Sequence, residues 1–105
     1  MIHVRVARVR PDKLDVLKAW FAEAEQRADE VRATFEQEGV THEQAKLIST
    51  ADGPLLVYAV ECADYEAAGE VFRNSTLPID AEHKRVMAEV LDGQVDTPVL
   101  LDIHI

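Results

Sequence analysis

His83 stands three residues after Asp80 in the run Pro78-Ile79-Asp80-Ala81-Glu82-His83-Lys84. With Asp80 as N-cap, the ring falls in the first turn of a helix, where exposed N–H groups create positive potential. That potential disfavours an imidazolium and keeps the ring neutral, able to take a proton or accept a hydrogen bond. An ordinary cap at a helix break uses the same residues. A second set is His3 and Arg5 near the start of the chain with Asp102 and His104 near its end. Arg5 suits a carboxylate or enolate while a histidine moves the proton. A plain cross-strand ion pair of Arg5 with Asp102 is the alternative. Two histidines and an aspartate also suit zinc or iron, but no short-spaced ligand motif supports a metal, and none is expected.

Three more side chains belong with these as substrate-binding candidates. Tyr58 can donate its phenol to a bound carbonyl, Trp20 can wall a pocket in addition to packing, and Asp80 flanks His83. Cys62 at a strand end is expected to be inert. Ser75 and Thr76 lack a nucleophile-elbow context. With no glycine-rich phosphate loop and no dinucleotide fingerprint, no cofactor is expected.

The elements that position these residues can be read from periodicity. Ile2–Val9 alternates, with Ile2, Val4 and Val6 on one parity and His3, Arg5 and Ala7 on the other, as a central strand does. Arg10-Pro11-Asp12 ends it, and Asp12 is placed to cap a helix. Leu14, Leu17, Phe21, Ala24, Ala28, Val31 and Phe35 form one apolar stripe on a helix of about seven turns that Gly39 stops. At about 40 Å that helix overhangs its sheet, so its far half must bend or pack on something else. Thr41–Thr50 reads as a polar edge strand, Ala51-Asp52-Gly53-Pro54 as a hairpin turn, and Leu55–Cys62 as a central strand apolar on both sides. Asp64 caps a helix over Tyr65–Arg73. Leu77-Pro78 breaks it, and a further helix from Asp80 ends at Asp92-Gly93. Val99–Ile105 is the last strand.

The order β-α-β-β-α-β, with its second helix in two pieces near Pro78, predicts an α+β fold. It is a single ferredoxin-like domain over residues 1–105, with a four-stranded antiparallel sheet covered by helices on one face. With Ile2, Val4 and Val6 toward the helices, His3 and Arg5 face away, and Asp102 and His104 of the neighbouring last strand join them. Leu55, Val57 and Ala59 then go inward and Leu56, Tyr58 and Val60 outward. Ala45 and Leu47 inward put Gln44 and Lys46 outside. The far face is thus mixed, polar groups among large apolar ones, and a second copy packed on it would shelter both. Two such sheets close a barrel and remove exposed edges.

Length, element order and this half-polar sheet resemble the dimeric α/β-barrel superfamily, which includes antibiotic biosynthesis monooxygenases, muconolactone isomerase and polyketide cyclases. More narrowly, Trp20-Phe21, the hairpin before Leu56-Val57-Tyr58, and Val71-Phe72-Arg73-Asn74-Ser75-Thr76-Leu77-Pro78-Ile79-Asp80-Ala81-Glu82-His83-Lys84 are similar to an uncharacterised bacterial family within it. The resemblance implies the fold and a homodimer and lends no reaction. The residues themselves suit a small-molecule pocket formed by the sheet and the helical break at 74–84, in a cofactor-independent cyclase, isomerase or monooxygenase-like enzyme, or alternatively a non-catalytic ligand-binding or dimeric interaction module.

Composition narrows the partners. The net charge is −9, while the first ten residues carry three arginines and no acid. An acidic chain without a basic stripe repels phosphate backbones and anionic lipid surfaces, so neither nucleic acid nor membrane is an expected partner. The early arginines are a local cationic spot for a small anion, or groups that snorkel at a strand end. No apolar run approaches the roughly 20 residues of a bilayer span. The amino terminus lacks a signal-peptide pattern and the single cysteine forms no internal disulfide, so a cytoplasmic protein is expected.

Overall fold

A computed structural model describes residues 1–105, and in it every strand pairs antiparallel with its neighbours. Strand β1 (Ile2–Val9) leads through a 3-10 turn at Pro11–Lys13 into helices α1 (Leu14–Gln26) and α2 (Ala28–Glu38). The hairpin β2 (Val40–Thr50) and β3 (Gly53–Cys62) follows, then α3 (Tyr65–Asn74), α4 (Pro78–Val90) and β4 (Leu91–Val95). The sheet order is β2-β3-β1-β4, the ferredoxin-like βαββαβ arrangement with each helical segment in two pieces. Local chemistry explains several boundaries. Gly39 closes α2 at φ 77°, a left-handed conformation that a Cβ would penalise. The Asp64 carboxylate accepts the Ala67 N–H at 3.0 Å and caps α3. Pro78 occupies the first turn of α4, where its missing N–H costs nothing.

Two clusters hold the helices to one face of the sheet. The larger joins Val9, Leu17, Trp20, Leu56, Ile79, Val86 and Val90, and the smaller joins Val40, Val60, Cys62 and Ala68. Within α4 the inward residues recur at 79, 83, 86, 87 and 90, the stripe a sheet-covering helix needs. No helix is long and apolar enough to cross a membrane.

The expected single helix from Asp12 to Gly39 is bent at Arg27, whose backbone leaves helical geometry at φ −108°, ψ 38°. The apolar stripe runs through the bend unchanged, which is why periodicity does not reveal it. The Arg27 side chain fixes the break, donating to Glu30 at 2.6 Å and across to Glu82 on α4 at 2.6 Å. Asp12 caps nothing, since the 3-10 turn precedes α1 and neither start has a side-chain cap. Asp80 is not an N-cap either: α4 begins two residues earlier, with Leu77 in the cap position.

The last strand is not Val99–Ile105. The chain leaves α4 straight into extended geometry at Leu91, and Leu91–Val95 pairs with β1 through Val9, Ala7 and Val6. Backbone pairing, helped by the Arg8 guanidinium on the Gln94 carbonyl at 3.2 Å, outweighs the weak strand propensity of Leu-Asp-Gly-Gln-Val. Residues 96–105 form no strand and are exposed.

The facing of the two central strands is also the reverse of expectation. His3, Arg5, Ala7 and Val9 of β1 and Leu56, Tyr58, Val60 and Cys62 of β3 point toward the helices, whereas Ile2, Val4, Val6, Leu55, Val57 and Ala59 occupy the outer face. Both parities of both strands are apolar, so alternation alone leaves the choice open. Val9 and Leu56, buried to 3% and 2% exposure in the core, decide it. Strand β2 follows the expected parity, with Ala45 and Leu47 inward and Gln44 and Lys46 outward.

Candidate functional site

The inner face of the sheet and the four helices enclose a cavity of about 460 Å³, within the range of small-molecule sites. Fifteen of its 23 lining residues are hydrophobic. Strand β3 supplies Tyr58 at its centre, α1 supplies Trp20 and Phe21, α3 supplies Phe72, and α4 supplies His83. These rings pack on one another: Trp20 and His83 centroids lie 5.5 Å apart, Phe72 and His83 5.2 Å, and Phe21 and Tyr58 6.2 Å.

At the centre, the Tyr58 hydroxyl lies 2.8 Å from Nε2 of His83 and 3.5 Å from the Met87 sulfur. Burial pushes the His83 pKa down to about 4, a shift that Asp80 partly opposes and Arg5 reinforces. The ring is therefore neutral at pH 7. The expected neutrality holds, but desolvation and not a helix terminus produces it, because His83 lies beyond the first turn of a helix that starts at Pro78. Burial also raises the Tyr58 pKa above the ordinary tyrosine range, with the nearby Glu43 charge adding to the rise and Arg5 opposing it. The pair is thus a neutral imidazole and a neutral phenol, hydrogen-bonded inside an apolar wall.

Arg5 sits opposite Tyr58 on the neighbouring strand and lines the same cavity. No carboxylate lies within ion-pair distance of it, whereas Arg10, Arg27 and Arg32 each have an acidic partner. A guanidinium placed beside a cavity without a partner is a ready donor for an oxyanion.

The far wall is acidic. The Thr34 hydroxyl lies 2.8 and 2.6 Å from the two carboxylate oxygens of Asp80 and 2.8 Å from Oε2 of Glu38. One hydroxyl proton cannot serve two carboxylates at once, so the trio calls for one further shared proton. Burial raises the Glu38 pKa, the Thr34 hydrogen bond opposes that, and Asp80 adds to it. Glu43 on β2 is pushed up to about 7 by burial, with Glu38 contributing. It is a proton-holding group near neutrality on the same cavity.

Of the residues singled out in the sequence, Arg5, Trp20, Tyr58, Asp80 and His83 meet around one cavity. His3 stands apart at the sheet end, stacked on Tyr65 at 4.7 Å with its buried Nε2 unpartnered. Asp102 and His104 lie on the exposed terminal segment, so neither the cross-strand ion pair nor a His3–His104 pair forms. Glu43, Glu38 and Thr34 were not anticipated. Glu43 had a readable signal: it shares parity with the inward Ala45 and Leu47, which sends a carboxylate into the helix-covered side. Thr34 and Glu38 fall on the helix face set by the bend at Arg27, which periodicity does not show.

Comparison with known proteins adds fold and family. The solved structure of Rv0793 from Mycobacterium tuberculosis is similar over 97% of this chain and 94% of that one, at 22% identity and a TM-score of 0.54. That likeness supports the fold and carries no activity. No curated protein matches the chain. A family model described as a family of unknown function, DUF6176, matches residues 2–104, and the chain belongs to that family.

Proposed function

We propose that the chain binds a small, largely apolar, ring-bearing molecule with an acidic or carbonyl oxygen and moves a proton on it without a cofactor, as a cyclase or isomerase does. The single observation that carries this is the Tyr58–His83 contact of 2.8 Å inside an aromatic cavity, beside an unpaired Arg5. In this reading neutral His83 takes a proton from a carbon next to the carbonyl. The electron pair moves onto the oxygen, where the Arg5 guanidinium and the Tyr58 hydroxyl hold the developing charge. Return of the proton from His83 to a different carbon discharges the intermediate; in a cyclisation the enolate carbon instead attacks a second carbonyl of the same molecule, and the alkoxide so formed takes the proton back from His83. The rival reading, non-catalytic ligand binding, draws on the same cavity and needs no proton movement.

Thermal-shift screening against aromatic keto and hydroxy acids, with His83→Gln and Arg5→Ala alongside, tests the site. A hit should stabilise the parent and lose at least about tenfold in affinity in Arg5→Ala, since a charged hydrogen bond contributes about 1.5–3 kcal/mol. Incorporation of solvent deuterium into a bound hit, absent in His83→Gln, separates catalysis from mere binding. Hits that bind both variants as well as the parent would sink the site.

We infer further that the chain acts as a homodimer, joined through the outer face of the sheet. Support comes from its apolar character: Ile2 is 74% and Val4 47% exposed, and Val6, Leu55, Val57 and Ala59 belong to neither core cluster. Uncovered faces of this kind mark interaction surfaces. Light scattering should give a species of twice 11.7 kDa, and a monomer at all concentrations would overturn the dimer.

A further inference from the structure

Three carboxyl side chains line the cavity, and one of them is engaged by nothing in the chain. Asp80 and Glu38 share the Thr34 hydroxyl, at 2.6 and 2.8 Å, whereas half-buried Glu43 has neither a hydrogen-bond nor an ion-pair partner. Its place follows from register. Glu43 lies opposite Val60 and Ala45 opposite Tyr58, so Glu43 is the diagonal neighbour of Tyr58 on the inward face of the sheet. Arg5 flanks Tyr58 from the other side. Two strand spacings and two residues separate Arg5 from Glu43, or about 12 Å between their Cα atoms. The cavity floor thus has a guanidinium at one end and a carboxyl at the other, with the Tyr58 ring between them and the helices' aromatic side chains around it.

The carboxyl end has no counter-ion. Besides Glu43, the charged and titratable groups on the cavity are Arg5 of β1, Tyr58 of β3, Glu38 of α2, Tyr65 of α3, and Asp80, His83 and Lys84 of α4. Neither cation serves Glu43: Lys84 Nζ donates to the carbonyls of Phe72 and Arg73 at 3.3 and 3.1 Å, and Arg5 stands two strands away. Burial, and then the charge of Glu38, disfavour the ionised form. Protonated, the Glu43 carboxyl is a hydrogen-bond donor without an acceptor. Resting on the small-molecule reading of this cavity, we propose that Glu43, as a neutral acid, donates to a second oxygen of the ligand, a carbonyl placed across the ring from the oxygen that Arg5 and Tyr58 hold. The ligand class narrows to ring compounds with oxygen functions at both ends. An analogue lacking the far oxygen leaves the carboxyl unpaired in an apolar wall, and sites built around such a donor reject it. An ammonium group is the other chemistry that suits a carboxyl, and it requires the ionised form, so pH separates the two.

A matched pair of probes tests this. 4-Acetylbenzoate carries a carboxylate for Arg5 and a carbonyl at the far end, and 4-isopropylbenzoate has the same outline without the far oxygen. In isothermal titration the parent should bind the acetyl acid about tenfold tighter at about pH 5.5. It should lose that preference by about pH 8.5, above the Glu43 pKa of about 7. His83 stays neutral and Arg5 charged over that window, and both probes stay ionised. Glu43→Gln, which keeps a donor, should retain the preference at both pH values, and Glu43→Leu should lack it at both. A preference that grows with pH, or one that Glu43→Leu retains, overturns the proposal. Tighter binding of 4-(aminomethyl)benzoate than of the acetyl acid does so as well, by making Glu43 a carboxylate. A pH dependence that survives in Glu43→Gln belongs to Glu38 and overturns the assignment to Glu43. Acids that bind the parent alike remove the Glu43 role, and the cavity reading then stands if both weaken in Arg5→Ala and falls if neither does. If neither acid binds the parent at millimolar concentration, both readings fall together.

Discussion

Two buried titratable groups of opposite tendency share one cavity, and this gives the protein a particular dependence on pH. His83 falls from its ordinary 6.5 to about 4, so between those values the unfolded chain holds more protons there and stability rises with pH. Glu43 climbs from its ordinary 4.5 to about 7, so over that window the folded chain holds more protons and stability falls as pH rises. Each shift corresponds to about 3 kcal/mol, and over pH 4.5–6.5 the two slopes oppose. The parent protein should therefore unfold at nearly the same urea concentration across that range. Glu43→Gln should show stability rising with pH by up to about 3 kcal/mol, and His83→Gln should show it falling. Parallel profiles for the two variants would contradict the assignment. Thr34 offers an independent check. Thr34→Val leaves the Asp80 carboxylate, 1% exposed, without the hydroxyl that serves it, and should cost about 1–3 kcal/mol by urea unfolding. How much of this site is legible beforehand depends on which neighbours decide it. Tyr58 and Trp20 stand out by residue type and His83 by its place beside the helix break at Pro78, and the three do meet. Glu38 and Thr34 gain their role only because α2 swings toward α4.

At the scale of elements, chain ends of helices and strands are set by single residues that can be tested one at a time. Asp64→Ala removes the α3 cap and should cost about 1 kcal/mol. Gly39→Ala should cost about 1 kcal/mol by forcing a Cβ into a left-handed backbone at φ 77°. Neither change touches the cavity, so ligand affinity should stay constant, as isothermal titration would read. These two boundaries are visible in the sequence because each rests on local chemistry. The bend at Arg27 and the strand Leu91–Val95 are not, because each is fixed by a distant partner: Glu82 in the first case and β1 in the second. Propensity favours the stretch after Pro98, and pairing selects Leu91–Val95 ahead of it.

For the whole molecule, the apolar residues divide between a helix-covered side that holds the cavity and an outer side left open. The sequence shows that both sides of the central strands are apolar. It does not show which parity meets the helices, since Ile2, Val4 and Val6 match Ala7, Val9 and Leu56 in kind. Val4→Lys tests the outer side. Val4 is 47% exposed in the single chain, so the substitution should leave the monomer's fold intact by circular dichroism and halve the mass seen by light scattering. A variant that remains fully dimeric would move the interface elsewhere. One consequence concerns β3, in which Val57 turns to the open side and its neighbour Tyr58 to the cavity. Two duties are threaded bead by bead on a single string, so the loss or gain of one residue before Val57 would transpose them, turning the phenol out to the open face and the valine into the cavity. Lineages of this chain should accordingly keep the length of that hairpin arm constant while its tip at Asp52 varies.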